Sequence, residues 1–186
     1  MSDRSEEYFE HDEHAAGPID CVIEDDRWLD INLPLLADMA ARATLDWLSL
    51  DPNKVEIVCL ACDDARIATL NASFRGKPTP TNVLSWPAVA AVPRQPGETP
   101  RLSDPMGFEG ALGDIAIAWE TCAAEAVAQG KPMPSHVIHL LIHSILHLAG
   151  YDHIDEMDAE NMESVERQIL AGLEIPDPYA DEKVVS

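Results

Sequence analysis

His143-Ser144-Ile145-Leu146-His147-Leu148-Ala149-Gly150-Tyr151-Asp152-His153 places three histidines at H-x3-H-x5-H spacing, with a glycine between the second and third. Histidines four apart on a helix lie one turn apart on the same face. Gly150 can take a left-handed backbone and end the helix. The chain can then turn back and bring His153 to the same point. Three imidazoles with an open fourth position are a usual donor set for a catalytic zinc. The helix leading into the stretch, Ser135 to Leu148, carries Val137, Ile138, Leu140, Leu141, Ile142, Ile145, Leu146 and Leu148. It is apolar almost all round and is expected inside the core. Several histidines buried there without partners are costly, and a shared metal ion offsets that cost.

Working outward from this helix, the apolar spacing gives the remaining elements. Ile19 to Glu24 and Val55 to Cys62 read as strands, and Leu33 to Trp47 has helical periodicity through Leu36, Met39, Ala40, Ala43 and Trp47. Asp63 suits the N-cap of a helix reaching about Phe74. Val83 to Trp86 is a short strand, able to pair antiparallel with a strand at Asp114 to Ala118. Trp119 to Gln129 is a helix ending at Gly130, and Asp155 to Leu173 is an amphipathic last helix whose acidic face is expected in solvent. The sum is an α+β fold: a single domain with a small mixed four-stranded sheet packed with about five helices. Residues 1–17 read as an acidic disordered tail, residues 18–180 as the domain, and 88–110, rich in Pro and Gly, as a flexible loop.

The chain has 186 residues and a formal charge of −22, an unfavourable balance for binding phosphates. The acidity is concentrated at the ends, because residues 27–151 hold thirteen acids and nine bases. Arg66, Arg75, Lys77, Arg94, Arg101 and Lys131 are the cations available to an anionic partner. No apolar run is long enough to span a membrane, and Met1 to Asp12 lacks the apolar core of a secretory signal. The expected compartment is the cytoplasm. Cys59 and Cys62 form a C-x-x-C within a strand, where they point to opposite faces. Buried apolar use suits them better than metal or redox work.

The histidine spacing matches a protease pattern that requires a glutamate directly after the first histidine as general base. Ser144 stands there and cannot take that role. The whole stretch instead resembles the signature of the YbeY family of metal-dependent endoribonucleases, H-G-x-L-H-L-x-G-Y-D-H, with Ser144 at the glycine. Two further blocks resemble the same family. Leu70-Asn71-Ala72-Ser73-Phe74-Arg75-Gly76-Lys77 runs on to Pro80-Thr81-Asn82-Val83-Leu84-Ser85-Trp86-Pro87, where Asn82 and Trp86 replace an Asp and a Phe of the family pattern. Leu112-Gly113-Asp114-Ile115-Ala116-Ile117 is the second block.

The resemblance implies the same α+β fold and a single-strand-specific endoribonuclease acting in maturation of the small-subunit rRNA 3′ end and in ribosome quality control. It also implies one zinc per chain on His143, His147 and His153, and a functional arginine at Arg75. A bound metal would lower the pKa of its water from about 15.7 toward 7 and polarise a phosphoryl oxygen, and a guanidinium would meet the charge that builds on the phosphate.

Asp114 and Asp152 are candidates for a base or for orienting an imidazole. His139 and Tyr151 are expected at the pocket edge, and His136 at the edge or surface. Asn82 is expected to serve in a turn. With so few cations, affinity for naked RNA is expected to be weak, with a ribosomal partner supplying the rest. The competing classes are an assembly factor with a structural metal, a metalloprotease and a small-molecule metallohydrolase.

Overall fold

The computed structural model describes residues 17–102 and 107–180. The acidic tail expected at the N-terminus therefore lies outside the described residues, apart from Gly17. Four strands, β1 (Ile19–Ile23), β2 (Val55–Cys62), β3 (Val83–Pro87) and β4 (Gly110–Ala118), form one sheet in the order β1-β2-β4-β3. β1 and β4 run parallel to β2, and β3 lies antiparallel on β4, so the sheet is mixed. The helices are α1 (Arg27–Asp30), α2 (Leu33–Trp47), α3 (Asp64–Arg75), α4 (Trp119–Ala128), α5 (Met133–Leu148) and α6 (Glu156–Gly172). The α+β fold expected from the sequence is the one observed, with six helices among the described residues instead of about five. The additional one, α1, is a single turn, too short to show a 3.6-residue period. It buries Trp28 completely, and the Trp28 indole N–H donates to the Cys62 carbonyl at 2.9 Å.

α5 runs through the core. Its buried residues Val137, Leu141, Ile142, Ile145 and Leu146 join Ala37, Ala41 and Leu45 of α2, Ile57 and Cys59 of β2, Ile115 and Ile117 of β4, and Met162, Ile169 and Leu170 of α6 in one cluster. Each Val, Leu, Ile or Met side chain among them contributes roughly 1.5–3 kcal/mol on burial. The opposite face of the sheet carries a smaller cluster: Cys62, Leu84, Ala116 and Ala118 under Ile67 of α3. Cys59 and Cys62 therefore do sit in different clusters, and both are fully buried thiols.

β4 starts at Gly110, four residues before the expected strand, because Val55 and Glu56 pair with Gly110 and Ala111 ahead of a register shift. Gly113, just past that shift, has φ +151, and a Cβ there would lie 2.3 Å from the Trp86 carbonyl oxygen and 2.7 Å from a Leu148 methyl. Only glycine lets β3, β4 and the end of α5 meet this closely. Edge strand β3 is thereby pressed against the helix that carries the histidines.

Candidate metal centre and its cleft

α5 ends as its sequence requires. Gly150 has φ +98; its N–H donates to the His147 carbonyl and the Tyr151 N–H to that of Leu146, both at 3.0 Å. This is the paired closure of a Schellman motif, and it folds the chain back so that His153 faces the helix. One ligand atom from each of His143, His147 and His153 lies within 4.8 Å of the others. The ring centroids of His153 stand 5.4 Å from His143 and 5.0 Å from His147.

Hydrogen bonds fix which nitrogens face inward. His147 Nδ1 lies 2.8 Å from the Tyr151 carbonyl, a pure acceptor, so Nδ1 carries the proton. His143 Nδ1 lies 2.6 Å from Glu166 Oε1. Glu166 is fully buried. Burial alone would raise its pKa, but hydrogen bonds from His139 and His143 outweigh burial and hold it down at about 2. It is a carboxylate and accepts. In the neutral form of His143 its proton sits on Nδ1, and the inward Nε2 atoms of His143 and His147 are then both lone pairs, 3.0 Å apart.

Two such lone pairs repel unless a cation lies between them. A tetrahedral zinc with Zn–N of about 2.0–2.1 Å would separate its nitrogens by about 3.3 Å. The donor set fits a metal ion. Burial, and then the neighbouring His143, push His147 down to about 4, so its imidazole is neutral and able to ligate.

The cluster forms one wall of a cleft of about 600 Å³, lined also by Arg75, Asn82, Ser85, Ser144, Tyr151 and Asp152. Arg75 is the last residue of α3, whose start is capped by Asp63 accepting the Arg66 N–H and whose end is closed by Gly76 at φ +67. The amide of Asn71 donates to the Thr79 carbonyl at 2.9 Å, tying the helix to the turn that leads into β3. Arg75 is exposed and has no ion-pair partner among the described residues. Other expected cations are engaged: Arg66 by Glu24, and Arg94 by Asp158 at 2.5 Å and Asp152 at 3.7 Å.

The remaining candidates separate. Asp152 is on the cleft wall, where Oδ1 accepts the Ile154 N–H and Oδ2 faces Arg94, so it braces the loop bearing His153. Asp114 is exposed on β4 and is not among the cleft residues. Its side chain shares the sheet face of Ala116 and Ala118, which α3 covers, away from α5. Tyr151 is buried beside the site, and its backbone carbonyl orients His147.

His139 does not line the cleft. It stands behind His143, with Nε2 2.9 Å from Glu166 Oε2. His136, expected at the edge or surface, is only 4% exposed, with Nε2 2.8 Å from Glu125 Oε2. Asn82 serves as a turn residue, its Oδ1 accepting the Val83 N–H at 2.7 Å, and its amide also donates to both oxygens of Glu125.

Glu166 corrects the expectation that the acidic side chains of α6 are simply solvated. Its signal was present. Residues 158, 162, 165, 166, 169 and 170 form the buried stripe of α6, and a glutamate on that stripe needs a partner inside. Tyr179, whose hydroxyl donates to Glu166 Oε2, also escaped the sequence reading. Burial and the Glu166 charge push its pKa well above the usual tyrosine value, so it stays protonated.

An α+β domain with a three-histidine cluster on a buried helix and the loop that follows it, sharing a cleft with an arginine that has no ion-pair partner among the described residues, defines a class of metal-assisted hydrolases. Comparison with known proteins narrows it. Residues 27–174 match the family model described as endoribonuclease YbeY. "Endoribonuclease YbeY" of Paracoccus denitrificans is 60% identical over 163 residues, covering 88% of this chain and 90% of that protein. The protein of the same name from a Jannaschia species is 53% identical, covering 87% and 99%. The solution structure of TM1509 from Thermotoga maritima shares the fold, with a TM-score of 0.51 at 18% identity over 90% of this chain and 99% of that one. The chain belongs to the endoribonuclease YbeY family.

Proposed function

We propose that this chain is a zinc-dependent, single-strand-specific endoribonuclease of the cytoplasm, acting on small-subunit rRNA with ribosomal proteins as partners. The observation that carries the reading is the convergence of ligand atoms of His143, His147 and His153 within 4.8 Å of one another, with Arg75 on the same cleft. His143, His147 and His153 would hold the ion. The chemistry supplied by a bound zinc is Lewis acidity toward water and toward a phosphoryl oxygen.

The chain's own residues do the rest. Arg75 binds the scissile phosphate with paired N–H donors and meets the charge that develops on it. Glu166 and the Tyr151 carbonyl hold the protons of His143 and His147 on Nδ1. Asp152 and Arg94 brace the loop of His153. The open cleft admits an unpaired strand whose bases can splay away from the backbone, as single-stranded RNA allows.

Support for the substrate comes from the family and from the cleft; ribosome association is the reading that best suits so acidic a chain. Incubation of the purified protein with a small-subunit rRNA 3′-end fragment, single-stranded and duplexed, tests it. Zinc-dependent cleavage confined to the single strand is expected; equal cleavage of both, or of neither in the presence of ribosomes, would refute it.

A further inference from the structure

Glu166 orients His143 only while its own carboxylate is held still. Oε1 receives the His143 proton, and Oε2 receives hydrogen bonds from His139 Nε2 and the Tyr179 hydroxyl. Tyr179 lies beyond α6, so neither helix sets its place. The segment is fastened from several sides instead. Lys131 Nζ donates to the Pro178 carbonyl at 2.9 Å. Arg167 lies 3.5 Å from Asp177 and places its guanidinium 5.1 Å from the Tyr179 ring centre. The Tyr179 N–H donates to Asp177 Oδ1 at 2.9 Å, and its ring meets His139 edge-on at 5.5 Å.

We propose that segment 177–179 is a latch of the metal centre, with Tyr179 the positioning residue that fixes the Glu166 carboxylate against His143. The inference rests on the reading of the histidine cluster as a metal site and is independent of the substrate. Without the hydroxyl, Oε2 keeps one donor in a fully buried place, and leaving a buried charged acceptor short of partners is costly. The carboxylate then turns to recover what it lost, and Oε1 leaves His143 Nδ1. The proton of His143 is no longer confined to Nδ1, and the tautomer protonated on Nε2 cannot ligate through the nitrogen that faces the cluster. Losing a partner that orients a ligating histidine typically costs 10–100-fold in metal affinity. A group one bond further out belongs at the lower end of that range.

The test uses the full chain and Tyr179→Phe, which keeps the ring against His139 and Arg167 and removes only the hydroxyl. Zinc affinity is measured by competition with a chromophoric chelator, and the His143 tautomer by nitrogen NMR of the metal-free protein. The expected result is roughly tenfold weaker zinc binding and loss of the single Nδ1–H form, in a metal-free protein that melts somewhat lower and keeps its helices by circular dichroism. If Tyr179→Phe does not fold, Lys131→Ala, which releases the Pro178 carbonyl and the exposed Gln129 side chain, should shift both readouts the same way by less. Unchanged affinity with His143 still protonated on Nδ1 would overturn the latch. RNA cleavage assayed in parallel keeps the two ideas apart: wild type that binds zinc yet cuts no RNA counts against the nuclease reading, while the latch is decided by the affinities.

Discussion

His143 Nδ1 donates to Glu166 Oε1 across 2.6 Å, joining the first metal-facing histidine of α5 to a fully buried carboxylate of α6. The two residues lie twenty-three positions apart, and the contact fixes which face of His143 looks into the cleft. Glu166→Gln removes the charge that keeps the proton on Nδ1. Zinc affinity should fall 10–100-fold, read by chelator competition, while circular dichroism shows the helices retained.

Arg75 lines the cleft and has no ion-pair partner among the described residues. Arg75→Ala should lower single-strand cleavage by about 10²–10³-fold, the usual effect of removing one donor that stabilises developing charge, and leave zinc affinity unchanged. Arg75→Lys should recover only part of the loss, because a lysine keeps the charge without the paired donors. Equal rates for Arg75→Lys and wild type would show that charge alone is needed.

Ser144 contributes a fully buried hydroxyl with no hydrogen-bond partner among the described residues. Ser144→Ala removes an unsatisfied group, whose burial costs about 1–3 kcal/mol. It should raise the melting temperature by a few degrees and leave cleavage intact. A large loss of cleavage would give the hydroxyl a chemical role.

Asp158 binds the loop that borders the cleft, accepting from Arg94 at 2.5 Å and from the Gly97 N–H at 2.8 Å. The Arg94 hydrogen bond, and then that of Gly97, hold its pKa below the ordinary 3.8. A carboxylate depressed on folding stabilises the folded state above its unfolded pKa, and the effect is lost as pH falls through the folded value. Protection of the Gly97 amide from hydrogen exchange should therefore be full at neutral pH and decline below pH 3.8. Asp158→Asn should reduce it already at pH 7.

Asn82 bridges the turn before β3 and Glu125, with its amide 3.1 and 3.2 Å from the two Glu125 oxygens. Asn82→Asp would replace that donor with a second carboxylate, and two carboxylates so close cannot both stay ionised at no cost. The variant should melt below wild type at pH 7, and by more than Asn82→Ala, which removes the donor without adding a charge. Equal losses for the two variants would show that charge is not the cause.

The His143–His153 stretch was legible because ligands, helix and terminator share one continuous segment, where spacing alone fixes geometry. Asp63 as an N-cap and the antiparallel pairing of β3 with β4 were legible for the same local reason. Glu166 and Tyr179 were not read, since their meaning arises only when α6 and the segment after it pack behind α5. Asp114 misled in the opposite sense: it sits in a motif block, but strand alternation turns its side chain from the cleft. The glycine beside it, Gly113, is the residue of that block that the site needs, and its reason is the Trp86 carbonyl, visible only in the folded sheet.

The most direct test of the account measures bound zinc and single-stranded RNA cleavage together on wild type and His147→Ala. One zinc per chain in wild type, with metal and cleavage both lost in the variant, is the predicted result. Bound zinc in a wild-type protein that cleaves no RNA, with or without ribosomes, would contradict it.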